Sequence, residues 1–139
     1  MARPVPMGET EFMSPYRFDH LHLRSPDPES TAAFYVASFG AVIKARVQAG
    51  AALRVVAELA GLPLFIEQVP AATPAPPPPP FLGIEHIGLT VEDIDTALAD
   101  LIARGVPVLS GPTQARPGVR IAFVAAPDGV RVELIERKT

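Results

Sequence analysis

The sequence repeats itself once, at an offset of 66 positions, and this repeat constrains the fold more than any other feature. His20 aligns with His86, and at the same offset Glu67 aligns with Glu133. Two polar pairs that lie far apart in the chain share one offset, which predicts a duplicated structural module. Apolar neighbours follow the same offset: Leu21 aligns with Ile87, Leu23 with Leu89, Leu64 with Val130 and Ile66 with Val132.

A proline-rich segment separates the two copies. Seven of the 17 prolines lie between Pro70 and Pro80. Because proline lacks a backbone donor and fixes φ near −65°, this segment is predicted to be an extended polyproline II strut. The predicted organisation is an N-terminal tail (1–15), a first module (16–69), a Pro-rich linker (70–80) and a second module (81–139).

Each module is predicted to fold as strand, helix and three strands. In the first, a strand over 20–24 precedes a helix that Asp27 caps, that has Pro28 in its first turn and that ends at Gly40. Together, the two modules predict an α+β fold that consists of two βαβββ units. The remaining strands are predicted over 41–48, 53–60 and 62–69, and the second module has strands over 85–91, 106–109, 119–125 and 130–136 with a helix over 93–104.

Composition excludes several classes of function. The chain has no cysteine, which excludes disulfides and thiolate zinc sites. Twelve basic residues against 15 acidic ones argue against a nucleic-acid surface. No apolar run approaches the ~20 residues that span a bilayer, and prolines and glutamates interrupt the first 17 positions. We therefore expect a cytoplasmic protein without nucleic-acid or membrane partners.

The repeated histidines and glutamates predict a metal site. Strand alternation puts His20 and His22 on one face, and Glu67 and Glu133 lie in apolar strands where an unpaired carboxylate is costly to bury. Two imidazoles and two carboxylates suit nickel, zinc, cobalt, iron or manganese and leave two octahedral positions open for water or substrate. The predicted ligands are His20, Glu67, His86 and Glu133.

Other side chains are expected around this site. We expect His22 and Phe65 to line the cavity. Arg131 shares the face of Glu133 and is expected at the rim, with contact to an anionic substrate group or pairing with Glu133 as the alternatives. Glu58 and Glu136 are interpreted as solvated strand residues.

Three motifs make the chain resemble the vicinal oxygen chelate superfamily. They are His20-Leu-His-Leu-Arg-Ser-Pro-Asp with Thr31-Ala-Ala-Phe-Tyr, then Glu85-His-Ile-Gly-Leu-Thr-Val-Glu-Asp, and Pro127-Asp-Gly-Val-Arg-Val-Glu-Leu-Ile. This superfamily includes glyoxalase I, epimerases, extradiol dioxygenases, fosfomycin-resistance enzymes and bleomycin-binding proteins. The resemblance implies paired βαβββ modules that form an open barrel around one divalent metal, with the four predicted ligands in the ligand positions.

The four-ligand pattern is closest to glyoxalase I-like lyases and to the epimerases. It implies a lyase or isomerase that moves a proton next to a carbonyl through a metal-bound enediolate or enolate, with Glu133 as first and Glu67 as second choice of base. Arg24 matches a glutathione-contacting arginine, but Ala71 and Leu82 depart from the family pattern. The substrate is therefore left open among small carbonyl compounds, thioesters and CoA derivatives.

Two alternative functions fit the sequence, and the linker predicts how the chain assembles. An extradiol ring-cleavage dioxygenase needs two histidines and one glutamate, which would leave Glu67 surplus. A metal-free, bleomycin-resistance-like binding protein is the other alternative, and the four metal-binding residues count against it. The stiff linker favours a homodimer, in which His20 and Glu67 of one chain meet His86 and Glu133 of the other.

Overall fold

The computed structural model describes residues 14–138. The first module contains one helix and four strands in the predicted order. These are β1 (Leu21–Ser25), α1 (Pro28–Phe39), β2 (Val42–Ala49), β3 (Ala52–Leu59) and β4 (Leu62–Gln68).

The second module repeats this order, with one short 3-10 turn (Pro127–Gly129) before its last strand. Its elements are β5 (Ile87–Thr90), α2 (Ile94–Ala103), β6 (Val108–Arg116), β7 (Val119–Ala125) and β8 (Arg131–Arg137).

The described strands form two separate four-stranded sheets, ordered β1-β4-β3-β2 and β5-β8-β7-β6. In each sheet the first pair is parallel and the other pairs are antiparallel. This architecture confirms the predicted α+β fold with two βαβββ units. In residues 14–138 no helix is long and apolar enough to cross a membrane.

The helices begin and end within one residue of the predicted bounds. The Asp27 side chain accepts a hydrogen bond from the Ser30 N–H at 3.2 Å, and Gly40 ends α1 with a φ of 75°. Asp93 caps α2 in the same way, accepting from the Thr96 N–H at 3.1 Å. A side-chain acceptor at the first turn satisfies an N–H that has no partner within the helix, which fixes where each helix starts.

Each sheet has one apolar face under its helix and one open face. In β3 and β4 the buried side chains alternate with less buried ones, as the period of two requires. The same alternation holds in β7 and β8. Buried strand residues pack with both helices in one apolar core that includes Ala32, Tyr35, Val55, Ala57, Leu64, Ile66, Ile94, Leu98, Leu101, Val124, Val132 and Leu134.

The linker differs from the straight strut that its composition predicts. The Thr73 N–H donates to the Pro70 carbonyl at 3.0 Å, so the chain turns before the longest proline run. Thr73 can close this turn because it keeps the backbone donor that proline lacks. Further on, Pro76 lies against Gly129, where an added Cβ would come within 2.6 Å of the Pro76 Cγ. The linker therefore packs on the second module.

Strand β6 is longer than predicted. The sequence predicts an end at Leu109, but the strand continues to Arg116 with several shifts in its register against β7. Thr113, beyond the Gly111-Pro112 step, still pairs with Ile121. A register shift leaves the residues that cannot pair regularly outside the ladder, and pairing resumes after them. Gly111 and Pro112 therefore do not end the strand.

Candidate functional site

The open face of the first sheet carries the predicted polar residues of the first module. His22 and Arg24 of β1 are exposed on this face, while Leu21 and Leu23 of the same strand pack against the core. Glu67 of β4 lies on the same open face as His22, and the Glu67 side chain is 32% exposed.

Glu67 contacts two cationic or basic side chains. Nη2 of Arg54 in β3 donates to Oε1 of Glu67 at 2.7 Å, and Nε2 of His22 lies 3.1 Å from the same oxygen. The hydrogen bond from Arg54 holds the pKa of Glu67 below its ordinary value. Sequence analysis missed Arg54, because only the pairing of Arg54 with Glu67 across β3 and β4 reveals the contact.

His20 makes different contacts. Its Nδ1 lies 2.7 Å from Oδ2 of Asp19, at hydrogen-bond distance. Its ring stacks on Phe65, with ring centroids 3.9 Å apart and planes inclined by 11°. The structure therefore pairs His22, rather than His20, with Glu67.

The second module brings its predicted histidine and glutamate together. Nε2 of His86 lies 3.1 Å from Oε1 of Glu133, whose side chain is 17% exposed. Nδ1 of the same ring hydrogen bonds to Glu85. Nε of Arg131 lies 2.9 Å from Oε2 of Glu85. The hydrogen bond from His86, reinforced by the charge of Arg131, lowers the pKa of Glu85.

The strand register explains why His22 takes the place predicted for His20. Arg24 pairs with Glu67 in the first sheet, and Gly88 pairs with Glu133 in the second. When the two sheets are superimposed on their glutamates, Arg24 of β1 therefore corresponds to Gly88 of β5. The structural offset between these two strands is 64 residues, two fewer than the offset of 66 in the sequence repeat. At an offset of 64, His22 corresponds to His86.

An arginine and a phenylalanine exchange positions between the two sheets. In the first sheet the guanidinium of Arg54 in β3 lies 5.0 Å from the ring centroid of Phe65 in β4. In the second, Phe123 is in β7 and Arg131 in β8, and the corresponding distance is 4.8 Å. Phe123 pairs with Glu133 across the strands, at the place where Arg54 pairs with Glu67. The two glutamates therefore have different neighbours.

The remaining predicted substrate-binding residues lie apart from one another. Arg24 lines a groove with Pro26, Val69 and Asp128, beside the linker. Arg131 lines a different cavity, of about 310 Å³, which it shares with His22 and His86. That cavity lies between β1 and β5, and it brings one imidazole of each module to a common space.

A family model matches residues 17–134, which is most of the chain: it describes the Glyoxalase/Bleomycin resistance protein/Dioxygenase superfamily. The chain belongs to this superfamily. The matched range covers most of both modules. It confirms the family resemblance that the three sequence motifs indicated.

Solved structures confirm the superfamily fold. A glyoxalase family protein from Enterococcus faecalis is 24% identical with a TM-score of 0.74, covering 86% of this chain and 97% of that one. A glyoxylase/bleomycin resistance protein/dioxygenase domain from Frankia sp. EAN1pec is 19% identical with a TM-score of 0.72, covering 90% and 100%. A fosfomycin resistance protein, FosX, from Listeria monocytogenes, complexed with Mn(II) and sulfate, is 18% identical with a TM-score of 0.67, covering 88% and 93%. The search of curated proteins found no match.

The donor set on the second sheet of this superfamily member fits a divalent cation. A neutral imidazole carries only one N–H, yet His86 has a carboxylate at both nitrogens, Glu85 at Nδ1 and Glu133 at Nε2. One of these contacts therefore lacks a proton when the ring is neutral. His86 and Glu133 would hold a cation whose positive charge replaces the missing proton, and nitrogen and carboxylate oxygen suit first-row divalent ions.

Residues 14–138 of one chain do not assemble a complete ligand set in this superfamily member. Across residues 14–138, no three histidine or acidic side chains come close enough to hold a metal ion together. Each open face offers one imidazole nitrogen and one carboxylate oxygen at 3.1 Å, His22 with Glu67 and His86 with Glu133. We call these two pairs the first and second half-sites.

Proposed function

We propose that this protein binds a divalent cation and a small carbonyl-containing substrate, and that it moves a proton next to the carbonyl as a lyase or isomerase. The observation that carries this proposal is the contact of His86 with Glu133, which leaves a basic nitrogen and a carboxylate facing each other on an open sheet. Ligands from the second module would be His86 and Glu133. The first module would add Glu67 with one of its two imidazoles, His20 or His22.

The surroundings of the two glutamates favour Glu133 as the base. Arg54 donates directly to Glu67, which stabilises the ionised form and makes that carboxylate a weaker proton acceptor. Within residues 14–138 the ion-pair partner of Glu133 is His86, and Phe123 takes the place that Arg54 has in the first sheet. Glu133 is therefore our first choice, and Glu67 our second.

The other residues would orient the substrate. When bound, a divalent cation would stabilise negative charge that develops on a substrate oxygen. Arg131 lies beside the second half-site and has a partly exposed guanidinium, so it would attract an anionic group of a thioester or CoA-type substrate. His22 and His86 line the same cavity, which would hold the smaller part of the substrate. In this arrangement Glu133 takes the proton, and Nε2 of His86 would serve as a ligand of the cation beside it.

We further propose that the active assembly is a homodimer. Each half-site lies on its own sheet, and although His22 and His86 line one cavity, residues 14–138 of a single chain bring no three of these donors together. A second copy would complete each set by placing Glu67 and an imidazole of one chain opposite His86 and Glu133 of the other. The complex of FosX with Mn(II) supports Mn(II) as the first metal to test.

The experiment combines metal content, mass and exchange chemistry. The protein is loaded with Mn(II), Ni(II), Zn(II), Co(II) or Fe(II), dialysed and measured for bound metal and light-scattering mass. Hydrogen–deuterium exchange next to the carbonyl is then followed for α-hydroxyketones, thioesters and acyl-CoA substrates. We expect a dimer whose exchange activity depends on bound metal, and we expect Glu133→Gln to lower this activity by about 10²–10⁴-fold. Oxygen uptake with catechols, or ligand binding by a protein that retains no metal, would contradict the proposal.

A further inference from the structure

Both histidines at the repeat positions follow an acidic residue that hydrogen bonds to their Nδ1. Asp19 bonds to His20 at 2.7 Å, and Glu85 bonds to His86. The acidic residues align at the offset of 66, as the histidines do. Only the second of these carboxylates has a further partner in the described chain, since Arg131 lies 2.9 Å from its other oxygen.

We propose that Glu85 is a positioning residue that fixes the ring orientation and tautomer of His86. Nδ1 donates its hydrogen to Glu85, so Nε2 keeps its lone pair and points it towards Glu133. The positive charge of Arg131, whose Nε lies 2.9 Å from the second oxygen of Glu85, attracts this carboxylate as an ion-pair partner. This inference rests on the proposed function, because the exposed lone pair matters most if a cation binds there.

Contacts on the other sides of the ring support a fixed orientation. The ring of Phe123 meets His86 edge to face, with centroids 5.0 Å apart and planes inclined by 88°. The guanidinium of Arg131 packs over the same phenyl ring at 4.8 Å. Glu85, Arg131 and Phe123 thus surround one imidazole and restrain one another. Hydrogen bonding at one ring nitrogen sets which nitrogen can bind a metal.

The first module provides a matched contrast. Asp19 is 85% exposed and Glu85 41%, and His20 stacks on Phe65 without contacting Glu67. In the first half-site the imidazole is His22, which follows the apolar Leu21. We therefore infer that the orientation of the His86 ring in the second half-site is fixed before the metal binds. In the first half-site no preceding acidic residue fixes the ring of His22 in the same way.

The test measures the tautomer of His86 without metal. Wild type, Glu85→Gln, Glu85→Ala and Asp19→Asn are compared by two-dimensional 1H–15N correlation of the imidazole rings at pH about 8, well above the ordinary histidine pKa of ~6.5. We expect hydrogen at Nδ1 of His86 in wild type, partial loss of this preference in Glu85→Gln, and a shift to the Nε2 tautomer in Glu85→Ala. Asp19→Asn should leave His86 unchanged.

A second measurement connects the tautomer to the metal. We expect Mn(II) affinity to fall by about 10–100-fold in Glu85→Ala, and by less in Glu85→Gln, which retains a carbonyl acceptor. An Nε2–H tautomer in wild type, or unchanged His86 signals in folded Glu85→Ala, would overturn the inference. If the tautomer shifts as expected but wild type binds no metal, the positioning role stands and the proposed function fails.

Discussion

Nε2 of His22 lies 3.1 Å from Oε1 of Glu67, whereas His20, two residues earlier on the same face, stacks on Phe65. The register of β1 against β4, in which Arg24 pairs with Glu67, determines which of the two imidazoles contacts Glu67. The first half-site therefore has one imidazole in contact with its carboxylate and a second one nearby.

This relationship predicts unequal effects of two alanine substitutions. We expect His22→Ala to weaken Mn(II) binding about as strongly as His86→Ala, by roughly 100-fold or more, because each removes a ligand nitrogen. His20→Ala should weaken it by less than about tenfold. Isothermal titration calorimetry with Mn(II) measures the affinity of each folded variant and so ranks the three substitutions. The reverse order would restore His20 as the ligand that the repeat predicts.

The two glutamates should also respond differently. Replacing a general base typically costs about 10²–10⁴-fold in rate, so we expect Glu133→Gln to lose that much exchange activity once it is reloaded with metal. Glu67→Gln should lose less activity per bound metal ion, because Arg54 already holds this carboxylate ionised. For each variant the measured exchange rate is divided by the amount of bound metal, so that a loss of metal is not counted as a loss of catalysis. Equal losses per metal ion would argue against Glu133 as the principal base.

Arg54 should set the titration of Glu67. The hydrogen bond from Arg54 lowers the pKa of Glu67, so it stabilises the fold above the carboxyl's unfolded pKa, and this stabilisation disappears as pH falls through the lower folded pKa. We expect Arg54→Met to raise the pKa of Glu67 and to destabilise the protein at neutral pH but not in acid. Carbon-detected NMR titration measures the pKa. Arg120→Met, which removes a contact of Asp95, is the control and should leave Glu67 unchanged.

The sequence predicts the repeat, the helix caps and the two faces of each sheet, because these depend on local or periodic patterns. Asp27 caps its helix as predicted, and Asp93, the predicted first residue of the second helix, is the cap of that helix. It does not predict which imidazole contacts Glu67. Offsets of 64 and 66 differ by two residues, and a shift of two keeps every strand side chain on the same face. Alternation therefore cannot distinguish His20 from His22.

Contacts between strands and helices distant in sequence were also beyond sequence analysis. Arg54 and Glu67 are 13 residues apart, and their contact depends on how β3 pairs with β4. Glu136 was expected to be solvated, but this expectation was wrong: the side chain is buried and accepts from the Ile94 N–H, 42 positions away. Such partners are fixed by tertiary packing, which no local pattern contains.

Tyr35 has a buried hydroxyl with no hydrogen-bond partner in the described part of the chain. A buried polar group without a partner costs about 1–3 kcal/mol, so we expect Tyr35→Phe to stabilise the protein by about 1 kcal/mol at pH 7. Burial raises the pKa of Tyr35, with the charge of Asp128 adding to it. Urea denaturation measures the change, and Tyr16→Phe at an exposed site is the control.

The raised pKa of Tyr35 also predicts how this difference depends on pH. An unfolded tyrosine ionises near pH 10, so above that pH the wild type loses stability until the buried hydroxyl itself ionises. Tyr35→Phe removes this loss, and its advantage over wild type should grow in alkaline solution. A variant less stable than wild type at pH 7 would show that the hydroxyl has a stabilising partner.

Glu136 should stabilise the start of α2. Its carboxylate is buried and accepts from the Ile94 N–H at 2.9 Å, which satisfies a donor in the first turn of the helix. Glu136→Ala leaves that N–H without its acceptor, and we expect a loss of about 1–3 kcal/mol in the free energy of unfolding. Glu136→Gln keeps an acceptor and should lose less. Glu58→Ala, at a more exposed strand position, should change stability by less than about 0.5 kcal/mol. Equal losses in Glu136→Ala and Glu58→Ala would mean that the contact with Ile94 contributes nothing to the stability of the helix start.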